Sequence, residues 1–242
     1  FYGSNLRYPI KGGYESFLKI LKRNKKIKTG FEVKNIDTKN KIIYFTKKQK
    51  PIKYDFIIST IPLSELPKKI NNCPKEIYLN SKKLNHTSGI VISICLNKKI
   101  KFRPWFYVYD KSIPFARAYS PSEKSKFNVP DGCSSLQLEI YFSRKNSKKY
   151  LNQEKIKKKC INKILSMGLF EKKDIMQIHS QYIKYANIIF DKNIYKSRDL
   201  IIEFLKKKNI FCAGRYGEWK YLWSNQAFLS GKKVAENITK II

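Results

Sequence analysis

Residues 211–238, FCAGRYGEWKYLWSNQAFLSGKKVAENI, decide how this chain is read. They overlap residues 209–213 (NIFCA), an apolar run of strand length. Gly214-Arg215-Tyr216-Gly217 follows as a turn. Residues 223–238 then read as a helix, with Ala227, Phe228, Val234 and Ala235 as packing positions and Gly231 permitting a close approach. The order strand, glycine turn, helix has chemical consequences. A helix N-terminus offers unbonded N–H groups and the positive end of a dipole, so it attracts a pyrophosphate or an electron-rich carbonyl. Gly214 lets the backbone approach a bound group, and Arg215 adds charge. An ordinary strand–turn–helix with a surface arginine has the same pattern, so this segment alone leaves both readings open.

Upstream, Tyr8-Pro9-Ile10-Lys11-Gly12-Gly13-Tyr14 is a turn leading into helical periodicity over residues 14–24. Residues 27–36 and 41–46 (KIIYFT) form a two-strand meander around an Asp-Thr-Lys-Asn turn. It feeds residues 54–60 (YDFIIST), which end at Pro62 and read as a buried central strand. A short helix is expected over residues 63–72. Strands follow at 89–96, 105–110, 115–119, 134–142 and 174–185, with helices at 150–166 and 199–208. In residues 105–110 (WFYVYD), alternation puts Trp105, Tyr107 and Tyr109 on one face. In 150–166 the apolar side carries Leu151, Ile156, Cys160, Ile161, Ile164 and Leu165.

Three of these segments, in this order, resemble the flavin-dependent amine-oxidase and protoporphyrinogen-oxidase-like family, to which UDP-galactopyranose mutase is related. Gly214, Arg215, Ala227, Ser230 and Gly231 match its C-terminal flavin signature. Tyr8-Pro9 with Gly12-Gly13 resembles its aromatic-Pro-x-x-Gly-Gly. Val33-x-x-Ile36, the hairpin, and Tyr54-Asp55-x-Ile57-Ile58-Ser59-Thr60-x-Pro62 resemble the stretch that meets the adenine and ends beside the flavin. The resemblance implies FAD as cofactor, held by Gly12, Gly13, Val33, Thr60, Pro62, Gly214, Arg215, Trp223, Gln226 and Ala227. It implies an α/β (mixed α+β) fold: the C-terminal part of a Rossmann-like FAD domain from residues 1–62 and 209–242, with a mixed-sheet substrate domain inserted at 63–208. Two departures stand out. The dinucleotide fingerprint GxGxxG occurs nowhere among the ten glycines, so it is expected upstream of Phe1, making this a C-terminal portion. Asn225 stands where many relatives carry an acidic residue.

On the substrate side, Trp105, Tyr107, Arg117 and Tyr119, with Tyr109 and Phe115 nearby, suit a flat or anionic small molecule. The same alternation also describes a half-buried sheet face. His86 begins a strand, where a capping or core role outweighs acid–base work. No catalytic residue is identified. The leading reaction is flavin-dependent oxidation. The alternatives are a sugar-nucleotide mutase using reduced flavin, with Arg117 gripping a diphosphate, and an inactive remnant without flavin.

Composition narrows the partners. The formal net charge of +33 suggests a polyanion, yet only seven of the 51 basic residues are arginine, and the lysines are scattered. Lys, Ile and Asn share A/T-rich codons, so coding bias accounts for the charge. No specific nucleic-acid partner is expected, and peripheral membrane contact stays open. No apolar run reaches the ~20 residues of a membrane span. Five cysteines without a CxxC pair fit a reducing, cytoplasmic setting. Two histidines are too few for a His-rich metal centre, and no GxSxG elbow supports a serine hydrolase.

Overall fold

The computed structural model describes residues 7–22, 26–101, 103, 105–143 and 152–242. Asn24, Tyr150 and Leu151, named in the helix expectations, lie outside them. The chain resolves into two compact units. One pairs the segment ending at Ile27 with Thr87–Asn187; the other pairs Lys28–His86 with Ile188–Ile242.

In the first unit, residues 14–22 form a 3-10 turn, Tyr14–Leu18, running into α1, Lys19–Lys22. Phe17, Leu18 and Leu21 stay exposed. The second unit begins with a meander of β1 (Val33–Asp37), β2 (Ile42–Phe45) and the short β3 (Ile52–Lys53), all antiparallel. The Asp37 carboxylate accepts from the N–H groups of Lys39 and Asn40, which closes the expected turn. Among the described residues β4 (Ile57–Ser59) pairs only with a strand from the end of the chain, in parallel. The expected buried central strand is therefore a member of a two-stranded pair, and Ile58 is 46% exposed. Leu66–Lys69 is a 3-10 turn, and α2 (Lys75–Lys83), which periodicity did not announce, follows.

The first unit is built on five strands in the order β6-β7-β8-β5-β9: β5 (His86–Leu96), β6 (Trp105–Tyr107), β7 (Arg117–Tyr119), β8 (Ser134–Ser143) and β9 (Ile175–Ile188). The long antiparallel ladder runs from Thr87↔Ser143 to Leu96↔Ser134. One face carries Ile90, Ile92, Ile94, Leu136, Leu138 and Ile140, all at most 2% exposed. α3 (Gln153–Ser166) covers it with Ile156, Cys160, Ile161 and Ile164. Asn152 caps α3 by accepting from the Lys155 N–H.

The second unit closes with α4 (Ile194–Lys206), β10 (Ile210–Cys212), the single turn α5 (Gly214–Gly217) and α6 (Ser224–Thr239). α4 packs on α2, where Ser197 Oγ donates to Asn80 Oδ1 at 3.0 Å. α6 departs from its expected packing. Phe228 is 67% exposed, Ala235 is exposed, and only Ile238 is buried.

The compact units are cut differently from the expected segments 1–62, 63–208 and 209–242, following which elements lie against one another. The segment at Tyr8–Gly13 docks on the loop after β7, where Ser125 Oγ donates to the Ile10 carbonyl and Lys11 lies over Phe127. Residues 75–86 and 188–206 stay with β10 through the α2–α4 and α4–β10 contacts.

Candidate functional site

In the second unit, β4 and β10 run in parallel with Ile57↔Ile210, Ile58↔Phe211 and Ser59↔Cys212. The pairing continues past both strand ends. The Ala213 N–H donates to the Ser59 carbonyl at 3.0 Å, and the Leu63 N–H donates to the Tyr216 carbonyl at 3.0 Å. Thr60, Pro62, Gly214 and Arg215 are thus brought together at the C-terminal ends of parallel strands, where ligands of open α/β sheets bind. Gly217, which the sequence reading left unused, is fixed by contact. A Cβ there would sit 2.7 Å from the Ser59 carbonyl oxygen.

Gly214 has φ +77°, a conformation that favours glycine, and a Cβ built there meets nothing within 4 Å. Gly231 is open in the same way, so nothing packs on it closely. The backbone at the strand end is therefore accessible, as a flat ring edge would need. The Gly214 N–H is already engaged: it donates to Ser230 Oγ at 2.8 Å, and Ser230 in turn donates to Glu218. Ser230 thereby ties the glycine turn to α6. Arg215 donates to the Leu222 carbonyl at 3.5 Å and lies over the Tyr221 ring at 4.4 Å, so it braces the 218–222 connection. Trp223 and Gln226 cap α6, the Trp223 N–H donating to Gln226 Oε1 at 2.8 Å. Ala227 is half-buried one turn into the helix.

Val33 belongs to the same unit, its carbonyl accepting from Lys69 Nζ at 2.6 Å. Gly12 and Gly13 fall in the other unit, with φ +81° and +60° at the turn before the 3-10 helix. His86 meets the fully buried Trp219 edge to face, as a packing histidine does. Burial, and then Glu218, pushes the Cys212 thiol up to about 12, so this sulfur is no nucleophile at neutral pH.

The open face of the five-stranded sheet carries the substrate-side candidates. Register aligns them in two rows: Trp105, Tyr119, Gln137 and Ser93, then Tyr107, Arg117, Glu139 and Val91. Trp105 and Tyr107 are 41% and 58% exposed, while Phe106 between them packs on the core. Tyr109 lies beyond the strand, 90% exposed, and Phe115 is buried in the core. Arg117 is committed. Its Nη2 donates to Glu139 Oε1 at 2.6 Å, and Tyr141 donates to the other carboxylate oxygen. Burial alone would lower the Arg117 pKa, but the hydrogen bond and charge of Glu139 outweigh it and raise it. Burial and then the same carboxylate raise the Tyr141 pKa. Glu139 escaped sequence reading because Arg117, its ion-pair partner, lies on another strand. Its only signal was an acidic residue inside an apolar run.

Among the described residues no group of three potential metal ligands comes together, and no helix is long and apolar enough to cross a membrane. The fold is shared with several solved proteins. A reduced UDP-galactopyranose mutase superposes with a TM-score of 0.84 at 24% identity, over 97% of this chain and 52% of the other. A putative protoporphyrinogen oxidase from Exiguobacterium sp. 255-15 gives 0.67 at 13% identity, over 93% and 51%. A CLA-producing fatty acid isomerase from P. acnes gives 0.57 at 13%, over 85% and 47%. The chain thus spans about half the length of these structures. The family model described as "Flavin containing amine oxidoreductase" matches residues 1–239, and this chain belongs to that family.

Proposed function

We propose that this chain contributes the ring-side cofactor contacts and the substrate face of an FAD-dependent oxidoreductase. The observation that carries the reading is the parallel β4–β10 pair. It gathers Thr60, Pro62 and Gly214 at one end beside an open glycine backbone. Trp223, Gln226 and Ala227 supply the start of a 16-residue helix in the same unit. When bound, the flavin would supply the capacity to accept a hydride. This chain's own residues would bind and orient: the strand ends and α6 toward the ring, and the Trp105, Tyr107, Arg117 and Tyr119 face toward a small-molecule substrate.

The chain contains no GxGxxG fingerprint, so the charge-assisted pyrophosphate anchor is not among its residues. FAD titrated into the 242-residue chain, followed by flavin fluorescence and visible absorption, is expected to bind weakly and saturably. Ala227→Trp, on the largely exposed α6, is expected to abolish that binding. Unchanged binding in this variant would sink the placement. Tight stoichiometric binding would mean that a pyrophosphate anchor lies within this chain after all. No binding at all would move the ring contacts elsewhere.

A mutase-like use of reduced flavin is the second reading, drawn from the likeness in fold to the mutase. It asks Arg117 to hold a diphosphate, and Arg117 is already paired with Glu139. Oxidation is therefore the reading carried forward. Anaerobic mixing of flavin-loaded protein with a substrate separates the two, since net oxidation bleaches the visible absorption and isomerisation does not.

A further inference from the structure

Within the first unit, a cleft of about 510 Å³ lies between the Tyr8–Tyr14 turn and the open sheet face. Lys124 reaches across it, its Nζ 4.7 Å from the Tyr8 ring centroid and 4.1 Å from that of Tyr119. Aromatic faces at this distance are how proteins hold ammonium ligands. Here the chain's own lysine fills that place. No carboxylate pairs with Lys124 among the described residues. Burial, then Arg117, lowers its pKa against an opposing pull from Glu139.

The floor of the cleft is polar and incompletely paired. Ser135 is 8% exposed, and its Oγ has no hydrogen-bond partner. Gln137 turns its amide nitrogen to Ser93 Oγ at 2.7 Å, which leaves its Oε1 buried and unpartnered. A buried polar group left unpaired is costly, so these two atoms point to a partner. The chemistry of that partner follows from the groups. Lys124 only donates, so it needs an oxyanion or a carbonyl. Gln137 Oε1 only accepts, so it needs a hydroxyl or an N–H. A cationic amine finds its aromatic place taken and a like charge facing it.

We propose that Lys124 is a specificity-determining residue: this cleft takes a ligand bearing an oxyanion next to a hydroxyl and rejects cationic amines. The proposal rests on the functional reading only for placing the substrate on this face. Its test is read without flavin, so failure to bind FAD leaves the result intact. The probes are D-glucuronate and D-glucose 1-phosphate, which separate carboxylate from phosphate, with D-glucose and benzylamine as neutral and cationic counterparts. Each is titrated into the 242-residue chain by calorimetry or saturation-transfer NMR.

One or both charged sugars are expected to bind, glucose about tenfold or more weakly, a difference of about 1.4 kcal/mol, and benzylamine not at all. Lys124→Met should cut oxyanion affinity by about tenfold or more and admit benzylamine between Tyr8 and Tyr119. Gln137→Leu should also weaken the charged sugars, which binding to scattered surface lysines would not show. The idea is overturned if neither charged sugar binds, if both bind no better than glucose, or if benzylamine binds the wild type equally well. Unchanged oxyanion affinity in Lys124→Met overturns it too. Should that variant not fold, the four probes on the wild-type chain still decide.

Discussion

Gly217 and Arg117 mark the two regions where chemistry is expected, and different forces hold them. At Gly217 the neighbour is main chain: the Ser59 carbonyl leaves no room for a methyl group. At Arg117 the neighbour is a side chain 22 residues away, Glu139, reached across one strand pairing. The first region is fixed by excluded volume and backbone hydrogen bonds, which alter little with pH or salt. The second is fixed by charge in a half-dry setting, which depends on protonation and on both partners being present.

The sharpest way to break the first region is Gly217→Ala. A Cβ 2.7 Å from a carbonyl oxygen forces backbone to move, and overpacking of this kind costs about 1–3 kcal/mol. The contact is with main chain at the junction of β4 and α5, so the upper end is expected. A fall in Tm of roughly 6–12 °C corresponds to about 3 kcal/mol in a chain of this size. Calorimetric melting that shows no loss would mean that the junction relaxes freely, and the contrast with Arg117 would disappear.

Glu139→Ala tests the second region. Removing one partner of a buried pair leaves the other charge uncompensated, at about 3–5 kcal/mol when both are dry. Arg117 is 35% exposed, so solvent screens part of this and about 2 kcal/mol is expected. Glu139→Gln should lose about half as much, because it keeps a hydrogen-bond acceptor for Arg117 or Tyr141. Equal losses in the two variants, measured by denaturant unfolding, would show that volume and not charge holds the sheet face.

The same division explains what could be read in advance. The strand, glycine turn and helix at residues 209–239 were legible because glycine at φ +77° and an apolar strand leave local marks. The neighbourhood of Thr60 and Gly214 was legible only through the order of motifs, since the paired strands that create it, β4 and β10, lie more than 150 residues apart. Alternation put Trp105, Tyr107 and Tyr109 on one face; the register aligns the first two, but Tyr109 lies beyond the end of β6. What Arg117 does on that face was not legible, because strand register alone brings Glu139 beside it. The exposed side of α6 was misread for a related reason. Periodicity shows that Phe228 shares a stripe with Ala235, but not whether anything covers the stripe. Lys124 gave no signal among 44 lysines until two tyrosines from distant segments were seen around it.

Ser230→Ala removes the hydroxyl that links the Gly214 N–H to Glu218. One exchanged hydrogen bond is worth about 1 kcal/mol, so a small loss of stability is expected. The more telling readout is local. Amide exchange at Gly214 should quicken, because its N–H loses its acceptor. Unaltered exchange there would mean that the turn holds itself, and that Ser230 matters in the motif for another reason.

The smallest effect is expected at Lys124, and its sign is informative. Burial lowers the pKa of this ammonium below its usual 10.5. Between the lowered value and 10.5 the unfolded chain binds more protons at this position than the folded chain does. Stability contributed by the group therefore rises with pH through that window, and below the window the buried charge is a cost. The Tyr8 and Tyr119 rings offset part of the cost. Lys124→Met keeps most of the stem between the rings and removes the charge. It should leave stability at pH 7 within about 1 kcal/mol of the wild type, on the stabilising side. The difference should shrink as pH climbs toward 10.5, when urea unfolding of both proteins is compared at several pH values. Because the other lysines titrate in both proteins, the comparison isolates this one. A clear loss of stability at pH 7 would show that the lysine is a structural strut. A gain would mean that a charge is kept in this cleft against the interest of folding, as a binding group is.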